Sequence, residues 1–550
     1  MSNSSKFIAI IDRVAYFILP IGRLDLDALR LIFELVADDS RPKYDQPLSD
    51  SWARLGHVCH VWRSTLLSMP ELWARDVLAF GAGSALDDVF SRARDMPLHL
   101  DFSARKRHIR RIAPLIPRAE VLKCEMESFE EQQIVLDSIL SHPPTALHTL
   151  ALRVDHRTRY VQQPSPQHAT CVQHLPIRHL EMYDLFLSPP LSGTLTSWTM
   201  HSNEQSWIVD RRLSIATIVN VLAHNTGLER IFCRDAISIF DRDAAEPHVV
   251  LPALKVLQIW QNDNAPPYTL LSHMRFPNPI LEQCSIHDFA FDTPSELSTA
   301  FTSALSACDK SSALESAHFL RVIFDATRSG EVLIQLEPRH RVAYDSTSVI
   351  PFDLKFETEG SCLQLSSVIM DALVNFRIAT RITELLWSAH EEDAQTIEYW
   401  NTVLRPFSCV ETLFLGDSQT TIYHHCFPAL IATFDALAST RSDGPLLPRL
   451  HRLVTSAWET DGLAYIEMPR VVRTLQRRAE MGVPVSEIRF LDIGGPENSS
   501  ANEDPEFVAS VFEQMEKLAA DLGVGVESRE RWEDIEGKRR FGGTDFVFHY

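Results

Sequence analysis

Glycine is scarce in this chain, 19 residues in 550, and that argues against a sandwich or barrel made of many tight turns. Cysteine is equally thin. The nine (Cys59, Cys124, Cys171, Cys233, Cys284, Cys308, Cys362, Cys409 and Cys426) are odd in number and dispersed, and none forms a Cys-x-x-Cys pair. Neither a disulfide framework nor a structural zinc site is expected, and a reducing compartment, cytoplasmic and/or nuclear, fits best. Basic charge is in deficit: Lys plus Arg is 52 against 73 for Asp plus Glu, a formal net charge of -21. Such a chain has no global attraction for nucleic acid or anionic lipid, so neither is expected as a partner. Long apolar runs are missing too. The stretch Phe7 to Ile21 is broken by Asp12 and Arg13, which makes it too short and too charged to span a bilayer, and its split apolar region with no small-residue cleavage site after it does not read as a signal peptide. With 45% apolar and 23% charged residues, the composition is that of a globular protein too long for one compact core.

The chemistry of common active sites is also absent from the sequence. No phosphate-binding Gly-x-x-x-x-Gly-Lys-Ser/Thr loop and no Gly-x-Ser-x-Gly elbow occur, and Gly81-Ala82-Gly83 lacks both a third glycine and a preceding strand. His57 and His60, His424 and His425, and the Cys284/His287 pair each stand without a third ligand, so no metal or other cofactor is expected. The basic cluster from Arg105 to Arg111 is expected on a solvated helix face rather than on nucleic acid, given the acidity of the rest.

Residues 23–75 carry two helical patterns. Leu26, Leu29, Ile32, Phe33 and Val36 recur at helical spacing, with Asp25 or Asp27 as the N-cap. A polar stretch with Pro42 and Pro47 interrupts. A second helix is predicted after Ser49 and Asp50, through Trp52, Leu55, Val58, Cys59, Trp62, Leu66 and Met69, ending at Pro70. Trp52, Trp62 and Trp73 are a heavy aromatic load for so short a segment: either a small core or a docking face.

Val58-Cys59 followed by Trp62-Arg63, then Pro70-Glu71-Leu72-Trp73, resembles the second half of an F-box, in the large fungal group with a Val-Cys-x-x-Trp-Arg core and a Pro-x-Leu-Trp. Phe90 to Leu100, a helix leading to a Pro97-Leu98 strand, is similar to the same group. The resemblance covers roughly residues 24–103 and combines several fixed offsets. One departure is the opening Leu24-Asp25, where F-boxes usually have Leu-Pro. The resemblance implies docking on the Skp-type adaptor of a cullin–RING ubiquitin ligase by helix-in-groove insertion. Leu24, Leu26, Leu29, Ile32, Phe33, Trp52, Leu55, Val58, Cys59 and Trp62 are the expected adaptor-binding face.

Beyond residue 117 a local pattern recurs: apolar, two variable, apolar, one variable, apolar. Copies include Ala119-Leu122-Cys124, Leu147-Leu150-Leu152, Ile177-Leu180-Met182, Leu195-Trp198-Met200, Leu228-Ile231-Cys233, Leu254-Leu257-Ile259 and Leu281-Cys284-Ile286. Further copies stand at Leu314-Ala317-Phe319, Ile382-Leu385-Trp387, Val410-Leu413-Leu415 and Val485-Ile488-Phe490, with weaker ones near Leu354 and Leu453. Many follow a helical segment: Ile134 to Leu140, Ile215 to Leu222, Leu297 to Leu305, Val368 to Ile378, Ile397 to Leu404, Leu430 to Leu437 and Val471 to Ala479. Helix then short strand at this period predicts an irregular leucine-rich-repeat-like α/β solenoid with a parallel sheet. An asparagine ladder is nearly absent, with Asn262 alone at the expected offset. A multi-domain α/β arrangement is the alternative.

The expected organisation is a lead-in (1–22), an F-box-like helical module (23–75), a connecting helix and strand (76–116), the solenoid (117–525) and a charged tail (526–550). His156 to Pro176 and Gly494 to Pro505 read as exposed loops, and Phe507 to Leu522 as a capping helix. The variable positions beside the apolar ones face away from the core. They give Arg153, Tyr183, His201, Phe232, Arg234, Trp260 and His287 as the expected surface for an unknown target protein. The expected function is a non-catalytic substrate receptor of a Skp–cullin–F-box ligase. The alternatives are a repeat scaffold without ligase assembly, or an enzyme in a non-repeat α/β fold.

Overall fold

The computed structural model describes residues 24–42, 51–80, 85–103, 109–154, 164–202, 212–238, 248–261, 268–276, 281–291, 293–308, 311–325, 331–338, 352–358, 362–389, 396–415, 427–439, 444–456, 464–493, 525–535 and 538–549, with Lys517 and Ala520. The lead-in, Ser49 and Asp50, Asn262, His424 and His425, Gly494 to Pro505 and nearly all of Phe507 to Leu522 lie outside the described residues. The protein is mixed α/β and divides into two compact units, Met1–Ser238 and Ile239–Tyr550.

The first unit opens with α1 (Leu26–Asp39), whose N-cap Asp25 accepts a hydrogen bond from the Ala28 amide at 2.6 Å. The continuous helix expected over 52–69 is instead two pieces. Trp52–His57 is a 3-10 turn capped by Ser51, and α2 (His60–Leu67) begins only after Cys59, which is fully extended at φ -160°. Arg63 reaches back across the break and donates from Nε to the Gly56 carbonyl at 2.8 Å. Pro70 starts α3 (Pro70–Arg75) at its first turn, where a missing N–H costs nothing. The connecting segment supplies α4 (Ala85–Ala93) and the first strand.

Six strands of this unit pair in chain order and all in parallel: β1 (Leu98–Ser103), β2 (Ala119–Met126), β3 (Thr149–Val154), β4 (His179–Tyr183), β5 (Ser197–His201) and β6 (Arg230–Arg234). The register aligns the recurring apolar positions. Leu122, Leu150, Leu180, Trp198 and Ile231 form one row, and Cys124, Leu152, Met182, Met200 and Cys233 the next. Every one of these side chains is buried. Alternate residues point to opposite sides of a strand, so the rows between them form a second face of partly or fully exposed residues. Helices at Phe129–Ser141 and Ile215–His224 stand where the sequence puts them. The segment 156–176 is not simply a loop: Pro166–Ala169 is helical, and His168, Val172 and Leu175 are buried.

In the second unit, β7 (Val249–Val250) pairs with β9 (Met274–Arg275), apart from the main sheet. That sheet runs β8 (Val256–Trp260), β10 (Gln283–Phe291), β13 (Phe352–Thr358), β12 (Glu331–Glu337), β11 (Phe319–Asp325), β14 (Glu384–Ser388), β15 (Thr412–Leu415), β16 (Arg452–Ser456), β17 (Glu487–Ile493), β19 (Lys538–His549) and β18 (Gly525–Ile535). The parallel repeat holds from β14 to β17, where Leu385, Leu413, Leu453 and Ile488 share a row.

Two departures correct the expectation of one parallel sheet. β12 runs antiparallel to both β11 and β13, and the C-terminal strands β18 and β19 also pair antiparallel. The charged segment 526–550 is no tail. β18 and β19 form an antiparallel pair in which Glu533 is in register with Arg540 and Asp534 with Arg539. Helices at Pro294–Ala307, Cys362–Asn375, Ile397–Leu404, Phe427–Ala438 and Ala464–Glu480 match the expected segments.

Candidate functional site

The N-terminal helices answer the question posed by their tryptophans: all three are core. Phe33 meets Trp62 edge-on at 5.2 Å, and Trp52 meets Trp73 edge-on at 5.1 Å and Phe80 at 5.7 Å. Trp73 donates from Nε1 to the Leu66 carbonyl at 2.9 Å, and the Arg92 guanidinium lies 4.7 Å above its ring. Trp52 donates from Nε1 to Asp76 Oδ2 at 2.7 Å. Burial raises the Asp76 carboxyl above its ordinary range, against the opposing pull of the Trp52 N–H and the Arg75 charge.

Of the expected adaptor-facing residues, Leu29, Phe33, Trp52 and Trp62 are therefore buried within the module. Leu24, Ile32, Leu55 and Cys59 are half-buried, and of the ten only Leu26 and Val58 are exposed, at 57% and 56%. Sequence reasoning missed two others. Leu31 and Leu35 are 57% and 59% exposed, one helical turn apart. At about 100° per residue they lie opposite Leu29, Phe33 and Ala37, the buried face of α1. The signal was available, because a helix that buries one apolar face has no structural need of a second.

The second surface is the open face of the first unit's sheet. Glu125, Arg153, Tyr183, His201 and Arg234 occupy one register row across β2 to β6, so four expected target-facing residues are neighbours. The Arg153 guanidinium lies over the Tyr183 ring at 4.4 Å, and that ring meets His201 at 5.5 Å. Phe232 is on the same face one row away, opposite Thr199. Trp260 and His287 belong to the second unit, paired across β8 and β10 with rings stacked at 5.5 Å and 19°. His287 Nε2 also meets Asp353 Oδ2 at 2.8 Å, while Cys284 points to the opposite, buried side of β10. The structure thus brings together the first set and the second pair, each within its own unit.

Several thiols are shifted by burial. Burial pushes the Cys171 and Cys233 thiols up to about 12 and the Cys124 thiol higher, so none forms a thiolate at neutral pH. Among the described residues no three His, Cys, Asp or Glu side chains converge as a metal site, and no helix is long and apolar enough to cross a membrane. Arg110 and Arg111 of the basic cluster are paired with Glu130 and Asp87. Comparison with known protein families and with curated proteins finds no match to this chain.

Proposed function

We propose that this protein is the substrate-recognition subunit of a Skp–cullin–F-box ubiquitin ligase in the cytoplasm or nucleus, binding the adaptor through its N-terminal helices and a target protein through its repeats. Such a subunit makes no bonds itself; it raises the effective concentration of target beside a ubiquitin-loaded enzyme. The observation that carries the reading is an apolar surface on a motif-bearing module. Leu31 and Leu35 on α1, and Val58 just ahead of α2, are exposed in the same module whose Val58-Cys59, Trp62-Arg63 and Pro70-Glu71-Leu72-Trp73 carry the F-box resemblance. The Leu24-Asp25 departure has a physical account, because Asp25 caps α1 through its own carboxylate, a start that serves the helix as Pro at its first turn would. In this reading the alternating strands and helices are an irregular leucine-rich-repeat-like solenoid, interrupted by the β11–β13 meander.

The test is co-purification of the full chain with a Skp-type adaptor. A Leu31→Glu/Leu35→Glu variant is expected to lose the adaptor while keeping its fold, since exposed substitutions away from special features usually change stability by no more than about 0.5 kcal/mol. Wild-type protein that fails to capture the adaptor would favour a scaffold without ligase assembly. Retention by the folded double variant would remove α1 from the interface.

A further inference from the structure

We infer that the Arg153–Tyr183–His201 row is a recognition platform for an acidic, extended segment of the target polypeptide, gripped through a carboxylate by Arg153. This deepens the target-binding role proposed above and rests on it.

The argument starts from how Arg153 is held. Its register neighbours on the two flanking strands are Glu125 on β2 and Tyr183 on β4. An exposed arginine beside a carboxylate would ordinarily form an ion pair, yet Arg153 makes none with Glu125. Its guanidinium instead lies over the Tyr183 ring at 4.4 Å. A guanidinium held over a ring face is attracted by the ring's quadrupole and does not spend its N–H donors on a hydrogen-bond acceptor there. Those donors form a planar fork that fits a carboxylate with two parallel hydrogen bonds. The fork is also held in place in advance: Tyr183 is packed against His201, so less side-chain freedom remains to be lost on binding.

Charge sets the class of ligand and its direction. The chain as a whole carries -21, which would repel an acidic partner from most of its surface. On this row Arg153 is the exposed cation beside Tyr183 and His201, Arg234 at the β6 end has its Nε 4.0 Å from the Asp235 carboxylate, and Glu125 is the acidic member, at the β2 end. A carboxylate-rich segment is therefore turned away from β2 and held at Arg153 and Tyr183. On this sheet face Arg153 is exposed and Tyr183 and His201 are half-exposed, so an extended segment can reach them without rearrangement of the core.

The probe is a fluorescein-labelled peptide of four glutamates between Gly-Ser flanks, titrated into the full-length protein by anisotropy, with a four-glutamine peptide as its neutral counterpart. The Glu peptide is expected to bind and the Gln peptide not. Arg153→Ala should weaken binding on the order of tenfold or more, as loss of a charge-assisted pair implies. Arg153→Lys should recover only part of it, because the charge returns without the fork. Tyr183→Leu should weaken binding several-fold with the charge untouched, and Lys123→Ala, on the row beside it, should change little. The affinity should fall between about 0.05 and 0.5 M salt, where screening of exposed charges becomes strong. Equal binding of both peptides, no binding of the Glu peptide to the wild type, or Arg153→Ala binding like the wild type overturns the inference. Adaptor capture by the wild-type chain, measured beside its Glu-peptide binding, separates the two claims. Adaptor bound with no Glu-peptide binding defeats the platform alone, while Glu-peptide binding without adaptor defeats the ligase reading and leaves the platform standing.

Discussion

Trp52→Phe tests whether the tryptophans of the N-terminal module are core or contact surface. Trp52 is fully buried, and its Nε1 donates to Asp76 Oδ2 at 2.7 Å while its ring packs against Trp73 and Phe80. Phenylalanine keeps a ring for the edge contacts and removes the donor. Hydrogen bonds to charged groups contribute roughly 1.5–3 kcal/mol, and the smaller ring leaves a void costing about another 1 kcal/mol. A loss of about 3 kcal/mol is expected, which corresponds to amide exchange faster on the order of a hundredfold in α1 and α2 wherever exchange needs the module to open. Hydrogen exchange read by mass spectrometry over 26–39 and 60–75 measures this in the intact chain.

The same pair fixes a pH dependence. The folded state raises the Asp76 carboxyl, burial being the largest cause, so the folded state holds that proton more tightly than the unfolded chain does. Stability from this group is then highest at low pH. It falls as pH rises from the ordinary value near 3.8 through the raised folded one, and the penalty is complete above both. Trp52→Phe deepens that fall, because one of the groups opposing the shift is gone. Asp76→Asn abolishes it, and the Trp52→Phe/Asp76→Asn double variant should be more stable at pH 7 than Trp52→Phe alone, having no buried carboxylate to leave unpaired. Exchange in Trp52→Phe within threefold of wild type, or a double variant worse than the single one, would refute the reasoning.

Two further predictions address the sheets. Leu152 and Ala151 are adjacent in sequence on opposite faces of β3, so Leu152→Asp is expected to prevent the first unit from folding, while Ala151→Thr leaves its thermal transition within a few degrees. Similar losses from both would contradict the register. In the second unit, Arg478 is fully buried and donates to the Leu446 and Leu447 carbonyls at 2.8 and 2.9 Å. Arg478→Met leaves both acceptors without that donor and should cost roughly 2–4 kcal/mol in urea unfolding, with Arg478→Lys recovering part of it; a loss below about 0.5 kcal/mol would show that the carbonyls find other donors.

The strands of the first unit were legible because the same three apolar positions recur and the side-chain period is two. Once Leu150 and Leu152 are assigned inward, Arg153 must face outward, and the register bears this out through Tyr183, His201 and Arg234. What alternation does not report is whether the outward side is covered. In β11 to β13 the polar members Arg321, Gln335 and Asp353 read like a solvated face, yet all three are buried. They are linked from Arg321 Nη1 to Gln335 Oε1 at 3.2 Å and from Gln335 Nε2 to Asp353 Oδ1 at 3.3 Å. Burial of such a chain is tolerated because each member answers the next. Strand direction was equally hidden: Phe319 to Phe324 would suit a parallel or an antiparallel ladder, and the pattern of residues within one strand does not distinguish them.

The N-terminal module shows a different limit, with a practical consequence. Helical periodicity selects the most apolar face, and in α1 that face is Leu29, Phe33 and Ala37, which belongs to the core. A docking face on the same helix can be seen only as apolar residues left over when the core is satisfied, which is what Leu31 and Leu35 are. Truncating Phe33, fully buried against Trp62, would cost about 3–5 kcal/mol. Loss of a partner in that variant would report an opened module as readily as a broken contact. Leu31 and Leu35 carry no such ambiguity, since their side chains are already in water in the folded chain. Only substitutions on that outer face can separate a module that binds from one that merely folds.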